Sequence, residues 1–272
     1  MRALFTVLLV LAATVVLAFL ALPLIALFVR TGPSELVSSL GASGARDALL
    51  VSLKTNVVAE ALIVAFGTPA AYLLARRRFP GRTFVLTVVE LPLVLPPAVG
   101  GIALLAAFGR SGLTGDQLRA LGITLPYTQA AVVCAVTFVA APFYIRPAVA
   151  AFESLDQQIL DAARTLGAGP ARVFTRVALP LAGGALAASG AVAFARGLGE
   201  FGATIMFAGS LQGVTQTLPL AIYAEFERDF HVALALGALL VVISFAILLS
   251  IKLVPTWTRY VSTSPFRSAT SS

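Results

Sequence analysis

The segment from Ala3 to Val29 contains 27 consecutive residues without a charge, and no other feature restricts the fold of this chain as much. A helix needs about 20 apolar residues to cross the hydrocarbon layer of a bilayer, so the segment is long enough to span it. It is too long for the core of a signal peptide, and it lacks a convincing small-x-small cleavage site. We therefore expect it to be retained as the first membrane helix.

Five further apolar segments predict a protein that crosses the membrane six times. Hydrophobic residues make up 59% of the 272 residues and charged residues 11%, whereas a soluble domain carries about 25% charged residues. The further predicted spans are Thr55 to Ala75, Phe84 to Phe108, Gln129 to Ile145, Leu181 to Phe207 and Val232 to Val254. The chain is therefore predicted to be an all-α integral membrane protein with a single transmembrane domain over residues 1–272, which ends in a loose polar tail from about residue 256 to 272.

The distribution of basic residues predicts that both termini lie in the cytoplasm. Cytoplasmic loops of membrane proteins carry an excess of Lys and Arg. With this orientation twelve of the 19 basic residues lie in inner segments and six in outer segments, and Arg196 lies inside the fifth span. Because the basic residues are scattered between apolar segments, the net charge of +7 reflects topology rather than nucleic-acid binding. The single cysteine, Cys134, excludes a disulfide framework and a cysteine-based metal site.

The third predicted span contains an irregular stretch that begins at Glu90. Proline removes a backbone donor, and a span interrupted in this way can bend or expose carbonyl groups to a cavity. A simple kink is the interpretation that we favour. The prolines and glycines concerned are Pro92, Pro96, Pro97, Gly100 and Gly101.

Between the fourth and fifth spans, an inner loop of about residues 146–180 contains a charged helical hairpin. Ser154 and Gln157 fit a capping box, in which the Ser154 oxygen accepts the Gln157 backbone N–H, so we expect a helix to begin there. Gly167 is placed to end that helix in a left-handed conformation, and Pro170 suits the first turn of a second helix. Helical spacing predicts apolar faces made of Leu155, Ile159, Ala162 and Leu166 in the first helix and of Val173, Phe174 and Val177 in the second. This pattern fits equally a hairpin that packs on its own helix ends and a hairpin that docks on another protein.

One motif in the hairpin favours docking. An acidic residue, two alanines, a glycine, an aliphatic residue and Leu-Pro stand at Asp161, Ala162, Ala163, Gly167, Val177, Leu179 and Pro180. Their order and spacing resemble the EAA signature of ABC importer permeases, with Asp161 in place of the usual Glu and Val177 in place of the usual Ile. The resemblance implies a coupling helix that docks on a separate cytoplasmic ATPase subunit. Because the chain has no Gly-x-x-x-x-Gly-Lys-Ser/Thr phosphate-binding loop, we expect the partner to bind the ATP and this chain to hold no cofactor.

The fifth predicted span carries two charged residues, Arg196 and Glu200. Charges inside an apolar segment face a bundle interior, a pathway or a membrane boundary, and residues four apart on a helix can pair. A structural ion pair and a role in a translocation pathway are both open on this pattern. In a pathway for a dianion, Arg196 would supply positive potential and Thr204 a hydroxyl donor.

Three stretches in this region resemble the permeases of molybdate and tungstate ABC importers. They are Gly-Glu-Phe-Gly-Ala-Thr at residues 199–204, Phe-Ala-Gly at 207–209 and Thr-Gln-Thr-Leu-Pro-Leu-Ala-Ile-Tyr at 215–223. The resemblance covers most of the chain after Thr55, and sulfate and thiosulfate permeases have a similar Gly-Glu sequence. It implies a homodimer, surrounded by lipid in the cell membrane, that imports a tetrahedral oxyanion by alternating access. Each subunit would dock one ATPase, and a periplasmic or lipid-anchored binding protein would select the oxyanion.

Two other classes of function compete with that of an importer permease. In an ion-coupled secondary transporter or channel, Arg196 and Glu200 would form a relay or a filter, but the coupling signature speaks against that class. An intramembrane enzyme needs a nucleophile with its base, or a metal, at membrane depth, and no HExxH or comparable pair appears, so we expect no enzymatic activity. His231 lies beside Glu227 and Asp229, but one His with scattered acids is typical of an exposed polar boundary rather than of a metal site.

Overall fold

The computed structural model describes residues 2–32 and 43–261, and for residues 2, 3, 43 and 251–261 it describes the backbone alone. All regular secondary structure in these residues is helical, as predicted. In chain order the helices are α1 (Arg2–Arg30), α2 (Ser43–Arg76), α3 (Arg82–Val94), α4 (Pro97–Phe108), α5 (Gly115–Ala120), α6 (Gln129–Glu153), α7 (Gln157–Thr165), α8 (Pro170–Val173), α9 (Leu179–Leu198), α10 (Gly202–Ala208), α11 (Leu218–Phe226) and α12 (Phe230–Val261). A π-helical turn over Phe174–Ala178 joins α8 to α9. Residues 256–261 of the predicted loose tail continue α12, and the rest of that tail lies outside the described residues.

Five elements in the described residues are long and apolar enough to cross a membrane. They are Leu4–Arg30, Gly44–Arg76, Gln129–Glu153, Pro170–Leu198 and Phe230–Ser250. Helices α3 and α4 reach the length of a sixth span only as a bent pair. The prediction of six spans therefore corresponds to five single helices and one broken element.

The third predicted span, Phe84 to Phe108, is broken rather than simply kinked, so the favoured interpretation was wrong. Helix α4 is turned by 118° from α3. Between them Leu95 and Pro96 have extended backbones, with ψ of 134° and 130°. Each of these residues precedes a proline, which disfavours the helical conformation, and neither Pro96 nor Pro97 has an N–H to continue the ladder. The chain therefore changes direction here instead of bending slightly.

Helices α2, α6 and α9 form the centre of the bundle. The ring of Tyr144 in α6 is buried between the other two helices, and its hydroxyl lies 2.6 Å from the Thr68 hydroxyl of α2. A Cβ on Gly67 would lie 3.1 Å from this ring, and one on Gly190 would lie 3.8 Å from it. The two glycines thus let α2 and α9 approach α6 closely, as small residues do in membrane bundles.

The fifth predicted span, Leu181 to Phe207, was wrong at both ends. Its helix begins at Pro170 in the hairpin and ends at Leu198. After the break at residues 199–201 the short helix α10 begins, and in its first turn the Ala203 backbone N–H donates to the Glu200 carboxylate at 2.8 Å. Further along, residues 218–223, which lie between the predicted fifth and sixth spans, belong to α11.

Candidate functional site

The first helix of the hairpin, α7, begins later than the predicted capping box. Ser154 still belongs to the end of α6, where its backbone N–H donates to the Ala150 carbonyl at 3.0 Å and its hydroxyl donates to the Ala151 carbonyl at 2.8 Å. The cap is Asp156, whose carboxylate accepts the Gln158 backbone N–H at 2.9 Å. The capping box was therefore wrong, because its serine is already used to close the preceding helix.

Gly167 ends α7 in the left-handed conformation that the sequence predicted, with φ of +83°. The Ala168 N–H then donates to the Ala163 carbonyl at 3.0 Å and closes the end of the helix. Pro170 occupies the first turn of α8, also as predicted. No other heavy atom lies within 4 Å of a Cβ placed on Gly167, so the left-handed backbone, and not crowding, is what requires glycine here.

The second arm of the hairpin continues into the membrane span. Its helical path runs from Pro170 through the π-helical turn to Leu198. In that turn the Leu179 N–H donates to the Phe174 carbonyl, five residues back. Pro180 follows directly, and because proline has no N–H to donate, a local widening of the helix accommodates it. Val177, Leu179 and Pro180 thus join the hairpin to the span.

The hairpin buries one face and exposes the other. Leu160 and Val173 are buried next to a group of aromatic rings. The centroid of the Tyr72 ring lies 5.2 Å from that of Phe152 and 4.8 Å from that of Phe174. Of the predicted apolar face of α7, only Leu155 packs against this core. The remaining members, Ile159, Ala162 and Leu166, are exposed, and Leu166 is 87% exposed. An apolar stripe therefore faces away from the chain.

Polar contacts fix the base of α7 to α2. The Asp161 carboxylate accepts from Arg164 at 2.6 Å and from the Gln157 amide at 2.9 Å. The Gln157 amide oxygen in turn accepts from Arg76 at 3.1 Å, and Arg76 also donates to the Leu155 carbonyl at 3.3 Å. Because Arg76 ends α2, the acidic residue of the motif is tied through Gln157 to a membrane helix.

The structure pairs the two charged residues of the fifth span. The Arg196 guanidinium lies 2.9 Å from the Glu200 carboxylate, and it lies over the Phe143 ring at 5.9 Å from its centroid. The Glu200 side chain is 1% exposed and that of Arg196 28%. One carboxylate oxygen holds Arg196 and the other caps α10, so this pair spans the break between α9 and α10.

Thr204 is not part of the surface that carries Arg196. It lies in α10 and is fully buried, and its hydroxyl has no hydrogen-bond partner among the described residues. Helix α10 packs tightly on α4, since a Cβ on Gly101 would lie 2.7 Å from the Ala203 carbonyl oxygen and one on Gly202 would lie 2.8 Å from Pro97. The motif that contains Glu200 and Thr204 therefore joins α10 to the broken third span.

The sequence interpretation missed a carboxyl group in the second span. Glu60 lies in α2, and its Oε1 atom has no hydrogen-bond partner among the described residues. It lines a cavity of about 540 Å³ together with Thr68, Tyr144 and Gly190. A lone acidic residue in the predicted span from Thr55 to Ala75 is the signal that would have found it, by the same reasoning that singled out Arg196.

Arg146 was assigned to the inner loop because the fourth span was predicted to end at Ile145. Helix α6 continues to Glu153, so Arg146 lies within the helix. It forms an ion pair with Glu90 of α3, with 2.7 Å between Nε and the carboxylate. A second ion pair, between Arg82 and Glu153, lies closer to the ends of these helices.

Comparison with known proteins gives consistent results. Residues 63–261 match the family model described as binding-protein-dependent transport system inner membrane component. The molybdenum transport system permease protein ModB of Mycobacterium tuberculosis is 43% identical over 86% of this chain and 89% of its own length. The protein of the same name from Escherichia coli K12 is 39% identical over 79% of this chain and 94% of its own. The sulfate transport system permease protein CysT of Escherichia coli K12 is 36% identical, with 74% and 73% covered.

Solved structures share the fold at lower identity. A chain of a bacterial alginate ABC transporter, crystallised with an alginate-bound periplasmic protein, aligns with a TM-score of 0.76 at 18% identity, and 96% of each chain is covered. A chain of the MetNI methionine ABC transporter aligns with a TM-score of 0.59 at 20% identity, over 76% of this chain and 92% of that one. The predicted resemblance to ABC importer permeases is thus confirmed, and the chain belongs to the family of inner-membrane components of binding-protein-dependent transport systems.

Proposed function

We propose that this chain is the permease subunit of an ATP-driven importer that carries a tetrahedral oxyanion, with molybdate or tungstate as cargo. The observation that carries this proposal is the 43% identity to a molybdenum transport permease over 89% of that protein's length. Sulfate or thiosulfate is the second candidate cargo, favoured by the 36% identity to a sulfate permease. Higher identity and greater coverage favour molybdate.

In this proposal the hairpin is the coupling element, and it docks on a cytoplasmic ATPase. The apolar stripe of Ile159, Ala162 and Leu166 supports a docking role, because all three side chains are exposed. The hairpin is also joined to two membrane helices, as a lever requires. Its first arm contacts α2 through Gln157, whose amide also donates to Asp161, and its second arm is continuous with the span that ends at Leu198.

Each residue of the motif has its own role in coupling the ATPase to the membrane helices. Asp161 accepts from the Gln157 amide and so helps to hold Gln157, which contacts Arg76 of α2. Gly167 makes the turn, Ala163 packs against the core, and Ala162 is exposed with a small side chain. Val177 and Leu179 pack against the same core and carry movement into α9, with Pro180 at the widened turn. A rigid-body movement of the docked ATPase would then shift α9 relative to its neighbours.

The proposed topology places both termini and the hairpin in the cytoplasm, with residues 1–272 as one transmembrane domain. The excess of basic residues in the corresponding loops supports this orientation. ATP is bound by the partner ATPase, and a binding protein on the opposite face delivers the oxyanion. Two copies form a homodimer with the pathway along the two-fold axis. The exposed apolar side chains of α1 give it a surface suited to lipid.

Arg196, Glu200 and Thr204 belong to the pathway in this proposal. Arg196 is the part-exposed cation, and Glu200 partly neutralises its charge. A dianion therefore meets a positive potential but is not bound tightly. Thr204 reaches the anion only after α10 moves, since its hydroxyl is buried in the conformation described. Replacement of Arg196 by Ala tests the role of the cation, and unchanged uptake by a stable complex would remove Arg196 from the mechanism.

Uptake into proteoliposomes tests the function as a whole. The permease is reconstituted with its ATPase and binding protein, and labelled molybdate, tungstate and sulfate are compared with and without ATP. ATP-dependent molybdate or tungstate uptake that excess sulfate does not compete away is the expected result. ATP-dependent sulfate uptake would correct the cargo, whereas uptake indifferent to ATP would contradict the importer and favour an ion-coupled transporter.

A further inference from the structure

The ion pair between Arg146 and Glu90 joins two elements that are long and apolar enough to span a membrane, α6 and the bent pair of α3 and α4. Arg146 is seven residues before the end of α6 at Glu153, and at 1.5 Å per residue this places it about 10 Å within the helix. Glu90 is eight residues after the start of α3 at Arg82, or about 12 Å within that helix. The pair therefore lies within both candidate spans, set back from the helix ends that carry Arg82 and Glu153.

Both side chains are nevertheless accessible. In the Arg146–Glu90 pair, 52% of the arginine side chain and 37% of the glutamate side chain are exposed, and its two charged atoms are 2.7 Å apart. Charged groups at membrane depth rarely face lipid, because hydrocarbon cannot solvate them, and they face a bundle interior or a water-filled cavity instead. The exposed surface that carries this pair is therefore best explained as the wall of an aqueous route.

Arg146 lies on the face of α6 that the Arg196 side chain of α9 contacts. The Arg196 guanidinium lies over the Phe143 ring. Phe143 and Arg146 are three residues apart, so they are neighbours on one face with a rise of about 4.5 Å between them. Two part-exposed guanidinium groups thus succeed one another towards the end of α6 that carries Glu153, and each is paired with one carboxylate.

We propose that Arg146 is an anion-binding residue of the pathway, the next after Arg196 in the direction of the hairpin, and that Glu90 competes with the passing oxyanion for it. The proposal rests on the proposed function. An arginine presents several N–H donors in a fixed fork, and the contact with Glu90 at Nε uses one side of that fork, so a tetrahedral oxyanion can bind at the terminal nitrogens. The neighbouring carboxylate keeps the binding weak enough for release.

The first test is ATP-dependent molybdate uptake by variants of the complete complex. Arg146→Gln is expected to lower uptake roughly tenfold or more, because a charged hydrogen-bond donor to the anion is lost. The double variant Glu90→Gln with Arg146→Gln separates the two possible roles of the pair. It leaves no unpaired charge, so a merely structural pair predicts uptake near the wild-type rate, whereas an anion site predicts that uptake stays low. ATP hydrolysis stimulated by the binding protein reports that each complex is assembled.

The second test measures accessibility from water. Arg146→Cys, on a Cys134→Ala background, is expected to react with a negatively charged methanethiosulfonate reagent, and added molybdate should slow that reaction. Val88→Cys is the matched control, since Val88 lies on another face of α3 and is 50% exposed, and it should react slowly and without protection.

The results distinguish the failure of this inference from the failure of the proposed function. If the wild-type complex takes up molybdate with ATP but the double variant does so equally well, the anion site is wrong. The same holds if Arg146→Cys reacts no faster than Val88→Cys, which would indicate that a second copy of the chain covers the pair. If the wild-type complex shows no ATP-dependent oxyanion uptake, the proposed function fails and the anion site fails with it.

Discussion

Glu200 joins two helices through its two carboxylate oxygens: one lies 2.9 Å from the Arg196 guanidinium at the end of α9, and the other accepts the Ala203 backbone N–H at 2.8 Å at the start of α10. A side chain that is 1% exposed thus serves as ion-pair partner and helix cap together. Both contacts lie at the break in the fifth span.

Replacement of Glu200 by Ala is expected to destabilise the protein by about 1–3 kcal/mol, because the Ala203 N–H loses its acceptor and Arg196 its partner. Glu200→Gln keeps an oxygen that can accept the Ala203 N–H, so it should retain most of the cap. Thermal unfolding of the purified protein in detergent measures the difference. Equal melting temperatures for the two variants would show that the cap contributes little.

The contact between α4 and α10 is expected to tolerate no side chain at Gly101. A Cβ there would lie 2.7 Å from the Ala203 carbonyl oxygen, so Gly101→Val must push the two helices apart, at a cost of about 1–3 kcal/mol. Gly184→Val is the control, since a Cβ at Gly184 meets no heavy atom within 4 Å. The melting temperature in detergent should fall for the first variant alone, and a similar fall in both would attribute the effect to valine itself.

The turn of the hairpin should require glycine at one position and not at another two residues away. Gly167 has φ of +83°, where a β-branched residue is strained by roughly 1–2 kcal/mol, whereas Gly169 has φ of −66°. Gly167→Val is expected to reorient α7 and to uncouple uptake from ATP hydrolysis, while Gly169→Val should preserve both. Parallel measurement of uptake and ATP hydrolysis in proteoliposomes checks this, and normal uptake with Gly167→Val would refute the lever.

The exposed stripe of the hairpin should be needed for assembly with the ATPase. Leu166→Glu places a charge in a side chain that is 87% exposed, so it should leave folding unchanged but weaken the complex. Leu113→Glu is a matched control in a different loop, where the leucine is 86% exposed. Co-purification of the ATPase should drop severalfold with the first variant and not with the second. Equal recovery of the ATPase would place the docking surface elsewhere.

Features that depend on a few adjacent residues were predictable. The uncharged length of α1, the left-handed Gly167 and the start of α8 at Pro170 are set by local composition and backbone sterics, and each agrees with the structure. The spacing of the coupling motif identified the family for the same reason.

Features set by distant contacts were not predictable in this way. Helical spacing defined an apolar face on α7, but the neighbours of α7 in space decided that Leu160 would be buried and Leu166 exposed. Arg146 was placed in a loop because nothing near it in sequence shows that α6 continues to Glu153 and meets Glu90.

The sequence by itself determined that this chain is a helical membrane protein of a particular transport family, because apolar length and motif spacing are local properties of the chain. Only the tertiary structure decided which charges meet, where the third and fifth spans break, and which surface of the hairpin remains free. Those outcomes depend on the packing of residues far apart in sequence, such as Thr68 with Tyr144, whose hydroxyls lie 2.6 Å apart across 76 positions.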